Sequence, residues 1–233
     1  MFALQASIGA LNDLHDAPGD AGRKPAKPIP AGLISPPAAV AVAVTGAALG
    51  VALAASLDPR MGVLAIVVLL IGYVYDLVAK GTAWSWLPFA IGIPVLPVYG
   101  WFGAAGELPA FFAALIPMAM LAGAALAVAN ARADLERDRA ASTVSIATRL
   151  GLEGSWRLQA SLWAAALLVG LGGLTFRGVG LGQAVVVILA AGLIAAAVAW
   201  SRDLPAAGRE RAWEFQAVAA SLALVVWLVA VVP

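Results

Sequence analysis

Two short stretches hold the residues of this chain that could do chemistry. The first is NDLHDAPGD, with Asn12, Asp13, Asp16 and Asp20; the second is NARADLERD, with Asn130, Asp134, Glu136 and Asp138. Both share one skeleton, an asparagine followed by carboxylates four and eight residues on. Six of the 13 acidic residues lie in these two stretches. On a helix, residues four apart share a face with Cβ atoms about 6 Å apart, a workable spacing for oxygen ligands around hard cations. Pro18 and Gly19 predict that the first helix stops short of Asp20, which then reaches in from a loop. Two sets of carboxylates brought together repel unless cations intervene. Mg2+ suits them, because it prefers oxygen, keeps some waters and is commonly completed by substrate phosphates. A diphosphate held by such ions becomes a good leaving group, since the metals neutralise charge developing on the bridging oxygen. Nearby cations add direct phosphate contacts. Arg132, Arg137 and Arg139 are equally open to that role and to fixing membrane topology.

Charged residues beside an apolar span are ordinarily solvated loop ends. Two clusters of identical spacing, on the same face of a chain with little charge elsewhere, favour a functional reading. His15 is the only histidine and there is no cysteine, so neither a histidine-rich nor a thiolate metal site is available. His15 itself reads as a solvated loop residue.

The elements that must position these residues are membrane helices. The chain of 233 residues is 63% hydrophobic and 12% charged, with a mean hydropathy of +0.95; a soluble domain is about 25% charged. The net charge of +1 offers no electrostatic case for nucleic acid. Seven runs, near 34–57, 61–78, 84–105, 108–130, 158–176, 179–200 and 214–232, approach the roughly 20 apolar residues of a spanning helix. They are continuous rather than alternating, which excludes barrel strands. Residues 1–12 are apolar too, but at about 18 Å they cover only part of a bilayer. They lack the cationic start of a secretory signal.

Alternating these eight segments across the bilayer puts 12 of the 14 lysines and arginines on one side and only Arg60 and Arg177 on the other. The side with the excess is cytoplasmic. Both acidic motifs lie at the cytoplasmic ends of their helices. Tryptophans near segment ends read as an interfacial belt. Gly46 and Gly50 form a small-xxx-small pattern that allows close helix approach. Pro88, Pro94 and Pro97 interrupt the 84–105 run, which is expected to be broken and to line a cavity.

With these residues in view, the sequence resembles the UbiA family of intramembrane prenyltransferases. The family's first motif, N-D-x-x-D-x-x-x-D, is filled by NDLHDAPGD. The segment AKPIPAG resembles the basic, proline-containing continuation of that motif, with Lys27 where arginine is common. Asn130, Asp134 and Asp138 match the second motif, STVSIATRLG resembles its continuation, and YDLVAKGTAW supplies the tyrosine and lysine, Tyr75 and Lys80, found between the two. The resemblance implies an all-α bundle of nine helices around a central cavity, formed by one domain over residues 1–233. This chain shows eight segments, so the first transmembrane helix is expected to be lacking, in agreement with the charge map.

The resemblance further implies Mg2+-dependent transfer of an isoprenyl group from its diphosphate to a lipophilic, often aromatic, acceptor inside the lipid bilayer near the cytoplasmic face of a bacterial or archaeal cell. Asn12, Asp13, Asp16, Asp20, Asp134 and Asp138 would bind the metal. Asn12, Asn130, Lys80 and Tyr75 would contact the diphosphate, and Asp16, Asp134 and Lys80 would carry its departure. Two other readings of the same acids remain: a related terpene cyclase, in which the ionised chain attacks itself, and a transport or cation-binding membrane protein without chemistry.

Overall fold

The computed structural model describes residues 1–22, 24–176 and 180–232. Arg23 and Arg177, both part of the charge map, lie outside them. Among the described residues the chain is helical, with α1 (Phe2–Asp20), α2 (Pro36–Leu57), α3 (Pro59–Val74) running into a π-helical turn (Tyr75–Ala79), α4 (Leu87–Ala105), α5 (Phe112–Ala133), the short α6 (Leu135–Ala140), α7 (Ile146–Gly173), α8 (Leu181–Trp200) and α9 (Ala206–Val231). Among the described residues, six helices are long and apolar enough to cross a membrane: α2, α3 with its π turn, α4, α5, α8 and α9. Outside this set stand α1, with its aspartates, and α7, where Ser155, Arg157 and Gln159 lower the apolar character of a long helix kinked at Gly151 (φ +71°).

The chain divides into two compact units. The first comprises Met1–Lys80 and Val95–Glu107; the second comprises Gly81–Pro94 and Leu108–Pro233. The division falls within α4, between Pro94 and Val95. The helix nevertheless continues through Pro88, Pro94 and Pro97 from Leu87 to Ala105, so the expected break does not occur. Pro88 lies in the first turn, where an amide N–H has no helical partner to lose, and the two later prolines each remove one bond from a ladder that resumes beyond them.

The first unit is built around close approach to α1. Small residues of α2 (Ala39, Ala43, Gly46, Gly50 and Ala54) form its buried stripe. A Cβ on Gly46 would stand 2.8 Å from the Ala3 carbonyl oxygen, and one on Gly50 would collide with the Leu4 side chain. The small-xxx-small pattern is thus a real contact, and it seats Leu4 at 0% exposure. On α3, a Cβ on Gly72 would strike Ile8 at 2.6 Å. Polar pins add to this packing. Ser7 Oγ donates to the Ala43 carbonyl at 2.5 Å and lies 2.6 Å from the Tyr73 hydroxyl. Lipid does not drive apolar helices together, so close packing and such hydrogen bonds must.

The second unit packs α5 on α7, with α8 and α9 alongside; Trp163, Ala166, Ile194 and Ala219 are in its core. Trp227 of α9 donates to the Gly170 carbonyl at 2.7 Å, and its ring fills the space beside Gly173. Gln216 Oε1 accepts from both Gln159 Nε2 (2.8 Å) and Trp163 Nε1 (3.0 Å), pinning α9 to α7. An apolar cavity of about 230 Å3 lies within this unit, lined among others by Ile93, Met118, Trp163 and Trp227. Ile93 belongs to the proline-rich part of α4 that was expected to line a cavity.

Candidate functional site

Asn12, Asp13, Asp16 and Asp20 all lie on α1. The helix does not stop at Pro18; it runs through Asp20, and the Ala21 N–H still bonds to the Ala17 carbonyl at 3.1 Å. Asp20 is therefore a helical residue rather than a loop residue. Tertiary contact outweighs the proline here: Asp20 is buried at 5% exposure and lies 2.7 Å from the Lys27 ammonium. The proline-rich exit curls back on itself, with Lys27 N–H bonding to the Lys24 carbonyl and Ala31 N–H to the Lys27 carbonyl. That curl carries Lys27 Nζ to 3.1 Å from Asp13 and 3.7 Å from Asp16 as well. One ammonium group thus bridges all three aspartates. The hydrogen bond that Lys27 donates to Asp20 holds the lysine well above its ordinary range, against partial burial and with further help from Asp13.

Lys80 arrives from the other direction. The π turn places its Nζ 2.5 Å from Asp16 Oδ2, and the Lys80 N–H closes the turn on the Tyr75 carbonyl at 2.8 Å. Tyr75, the first residue of that turn, is half-buried. Asp76, the second, is 2% exposed and accepts from Asn12 Nδ2 at 2.6 Å. His15 is exposed.

The second motif is built differently. Asn130 lies in the last turn of α5, Asp134 at the break between α5 and α6 (φ −87°, ψ 1°), and Asp138 within α6. The expected single helical face across the three is therefore replaced by a corner. Its backbone remains bonded: Asp134 N–H to the Asn130 carbonyl (3.1 Å), Asp138 N–H to the Asp134 carbonyl (2.8 Å) and Thr143 N–H to the Asp138 carbonyl (2.8 Å). Arg137 Nη1 pairs with Asp134 Oδ1 at 2.7 Å.

Buried arginines hold this corner. Arg132, 2% exposed, donates to the carbonyls of Leu152 (3.2 Å), Ser201 (2.8 Å) and Arg202. Arg209, 4% exposed, donates to the carbonyls of Arg132 (3.1 Å) and Leu204 (2.9 Å) and to the Glu136 carboxylate. Arg132 is thus committed to backbone carbonyls, which decides against the phosphate-contact reading for that residue. Burial pushes the Glu136 carboxyl up, but the Arg209 hydrogen bond and charge hold it below the usual range.

Among the described residues, no group of three or more histidines, aspartates or glutamates forms a ready-made metal cage. Bare carboxylates repel one another unless something cationic sits among them. On α1 the Lys27 ammonium is that cation, which marks the carboxylate trio as a place suited to positive charge. The donor set is all oxygen, as Mg2+ requires, and Mg2+ does not need a complete protein cage. The first motif fits such an ion.

Two residues of this site carry no signal in the motif spacing. Lys27 is legible as the basic residue of AKPIPAG in the family resemblance, but nothing in the sequence places its ammonium among the three aspartates. Asp76 is legible as an ionisable residue inside an apolar run, a feature that itself points to function.

The family model described as the UbiA prenyltransferase family matches residues 1–225. None of the curated proteins matches the chain in sequence. Among solved structures, a digeranylgeranylglyceryl phosphate synthase is similar with a TM-score of 0.82 at 17% identity, over 99% of this chain and 82% of that one. A UbiA homologue from Aeropyrum pernix K1 has a TM-score of 0.75 at 20% identity, over 97% and 85%. A UbiA homologue from Archaeoglobus fulgidus bound to GPP and Mg2+ has a TM-score of 0.67 at 19% identity, over 97% and 84%. At these identities the structures attest the fold. The chain belongs to the UbiA prenyltransferase family and is an integral membrane protein of the prenyl-transferring class.

Proposed function

We propose that this chain transfers an isoprenyl group from an isoprenyl diphosphate to a lipophilic acceptor within the bilayer, with Mg2+ as the cofactor, near the cytoplasmic face and with residues 1–233 working as one catalytic domain. The observation that carries this reading is the first motif itself: three aspartates on one helix, converging on the ammonium groups of Lys27 and Lys80. Asn12, Asp13, Asp16 and Asp20, with Asp134 and Asp138 of the second motif, are the metal ligands in this reading. Lys80, Tyr75 and Asn130 contact the diphosphate. The Archaeoglobus homologue with GPP and Mg2+ supports the choice of donor and metal.

When bound, Mg2+ supplies charge neutralisation for a departing diphosphate. The bond between the allylic carbon and the diphosphate oxygen breaks, and the oxygen keeps the electron pair. The acceptor forms the new bond to carbon and gives up a proton. Lys80, a point charge on a flexible stem, follows the negative charge as it builds on the leaving group. Asp16, which touches both lysines, sets where that charge is held. Trp, Met and Ile side chains in the second unit give apolar surface of the kind an isoprenoid chain or lipophilic acceptor requires.

The test is release of inorganic diphosphate from geranyl diphosphate by the purified chain, with a set of lipophilic aromatic and glycerolipid acceptors. Release and a prenylated acceptor are expected with Mg2+ and neither with excess EDTA. Metal-independent release at the same rate overturns the reading.

A further inference from the structure

The π turn holds two residues of α1 at once. Lys80 meets Asp16, and Asp76 meets Asn12, so neighbouring positions on one face of α1 are each matched by a residue of the turn or its closing end. The Lys80 pair has an evident electrostatic purpose. The Asp76 pair does something else, because asparagine has no charge to neutralise.

An asparagine side chain ends in one oxygen that accepts and one NH2 that donates, and a half-turn about its last bond exchanges them. Only the oxygen can hold a hard cation. A carboxylate accepts and does not donate, so it selects the NH2 and repels the oxygen. Asp76 is in place to make that choice. Its Oδ1 lies 2.6 Å from Asn12 Nδ2, at the short end for N–H···O bonds. The residue is 2% exposed, so water does not compete. Its Oδ2 is buried with no hydrogen-bond partner among the described residues, so the carboxylate's grip falls on the Asn12 amide. Lys80, Asp16 and His15 are the ionisable groups that face it. A burial this complete for a carboxylate in an apolar run calls for a purpose, and π-helical turns concentrate at functional sites.

We propose that Asp76 is a positioning residue for Asn12: by taking the amide NH2 it turns the Asn12 carbonyl oxygen to the side where the cation is held. This rests on the metal-binding role proposed for Asn12. Partners of this kind behind a metal ligand fix its orientation, and their loss weakens metal affinity by about 10–100-fold.

The experiment titrates Mn2+, standing for Mg2+, into the purified full-length chain and reads free Mn2+ by electron paramagnetic resonance, with circular dichroism as the folding control. Asp76→Ala is expected to weaken Mn2+ binding about tenfold. Asp76→Asn keeps a carbonyl that can accept from Asn12, and its affinity should stay close to that of the parent chain. In an Asn12→Ala background, Asp76→Ala should add no further loss. Exchanging the roles gives a rescue that does not depend on the alanine variant folding: Asn12→Asp alone sets two carboxylates face to face, and Asp76→Asn added to it restores the bond, so the double variant should bind Mn2+ more tightly than the single one. Unchanged affinity in Asp76→Ala overturns the proposal. So does an Asp76→Asn variant as weak as the alanine one, a further loss in the Asn12→Ala background, or no rescue. A parent chain that takes up no Mn2+ overturns the metal reading of the first motif instead, and the inference falls with it.

Discussion

The two acidic motifs have the same spacing and opposite construction. The first rides on one unbroken helix, α1, and its carboxylates are met by lysines from elsewhere in the sequence: Lys27 from the returning loop and Lys80 from the π turn. The second turns a corner at Asp134, and Arg137, three residues on in the short α6, pairs with that aspartate. The first is held by close helix packing through Gly46, Gly50 and Gly72; the second is held by buried arginines that bind backbone carbonyls. An identical pattern of asparagine and aspartate therefore specifies what the ligands are and leaves their support open. The first motif depends on the position of a helix, and the second on the stability of a corner.

This contrast can be broken from either side. The largest effect is expected from Asp16→Ala, which removes a carboxylate that touches both lysines; turnover of an isoprenyl diphosphate should fall by about 100-fold or more, with Asp134→Ala falling by a similar factor and both variants keeping their helical circular dichroism. A chain that keeps its rate with either aspartate gone needs only one of the two motifs. Next is Gly50→Val, where the added carbon atoms meet Leu4. Thermal unfolding should shift down by an amount equivalent to about 1–3 kcal/mol, and the α1 motif should lose Mg2+ affinity with it. Retained affinity at lowered stability would separate α1 positioning from metal binding.

Lys80→Ala is expected to raise the KM for the diphosphate donor by about tenfold, the scale of one charge-assisted hydrogen bond, and an unchanged KM would return Lys80 to the role of topology marker. The smallest effect belongs to the second corner. Glu136 has its folded-state pKa lowered by Arg209, despite the opposing effect of burial. Its stabilising contribution is therefore present above the unfolded carboxyl pKa of about 4.3 and is lost as pH falls through the folded value. Melting temperatures of the parent and of Glu136→Gln should differ slightly near neutral pH and converge in acid. A difference that persists in acid would mean that the carboxylate charge is not what matters there.

Much of this architecture is legible in the residues alone. Continuous apolar runs predict α2, α3, α4, α5, α8 and α9, because a helix is the economical way to satisfy a backbone in lipid. The i, i+4 spacing of Asn12 and Asp16 places them on one face of α1, as found. Local rules misled where tertiary contacts outweigh them. Pro18 did not end α1, since Asp20 is pinned by Lys27 from outside the helix; Pro94 and Pro97 did not break α4. Spacing alone could not show that Asp134 leaves the helix, because a helical and a cornered backbone share one sequence pattern there. Nor could it distinguish Arg132 and Arg209, buried among carbonyls, from the exposed arginines beside them. Asp76 escaped because a lone carboxylate in a span carries no periodic signal, only a cost.

The π turn at Tyr75–Ala79 makes the first site a matter of counting. Its closing bond runs from Lys80 back five residues to Tyr75, one more than an α-helix would use. Each residue in an α-helix advances the side-chain direction by about 100°. Were the same residues wound as an ordinary α-helix, Lys80 would stand about 100° away from its present direction and off Asp16, though every acid and every lysine of the motifs remained in the gene. Among relatives of this chain, a tyrosine and a lysine one residue closer together should therefore go with ordinary α winding between them, with the lysine still directed at the acid.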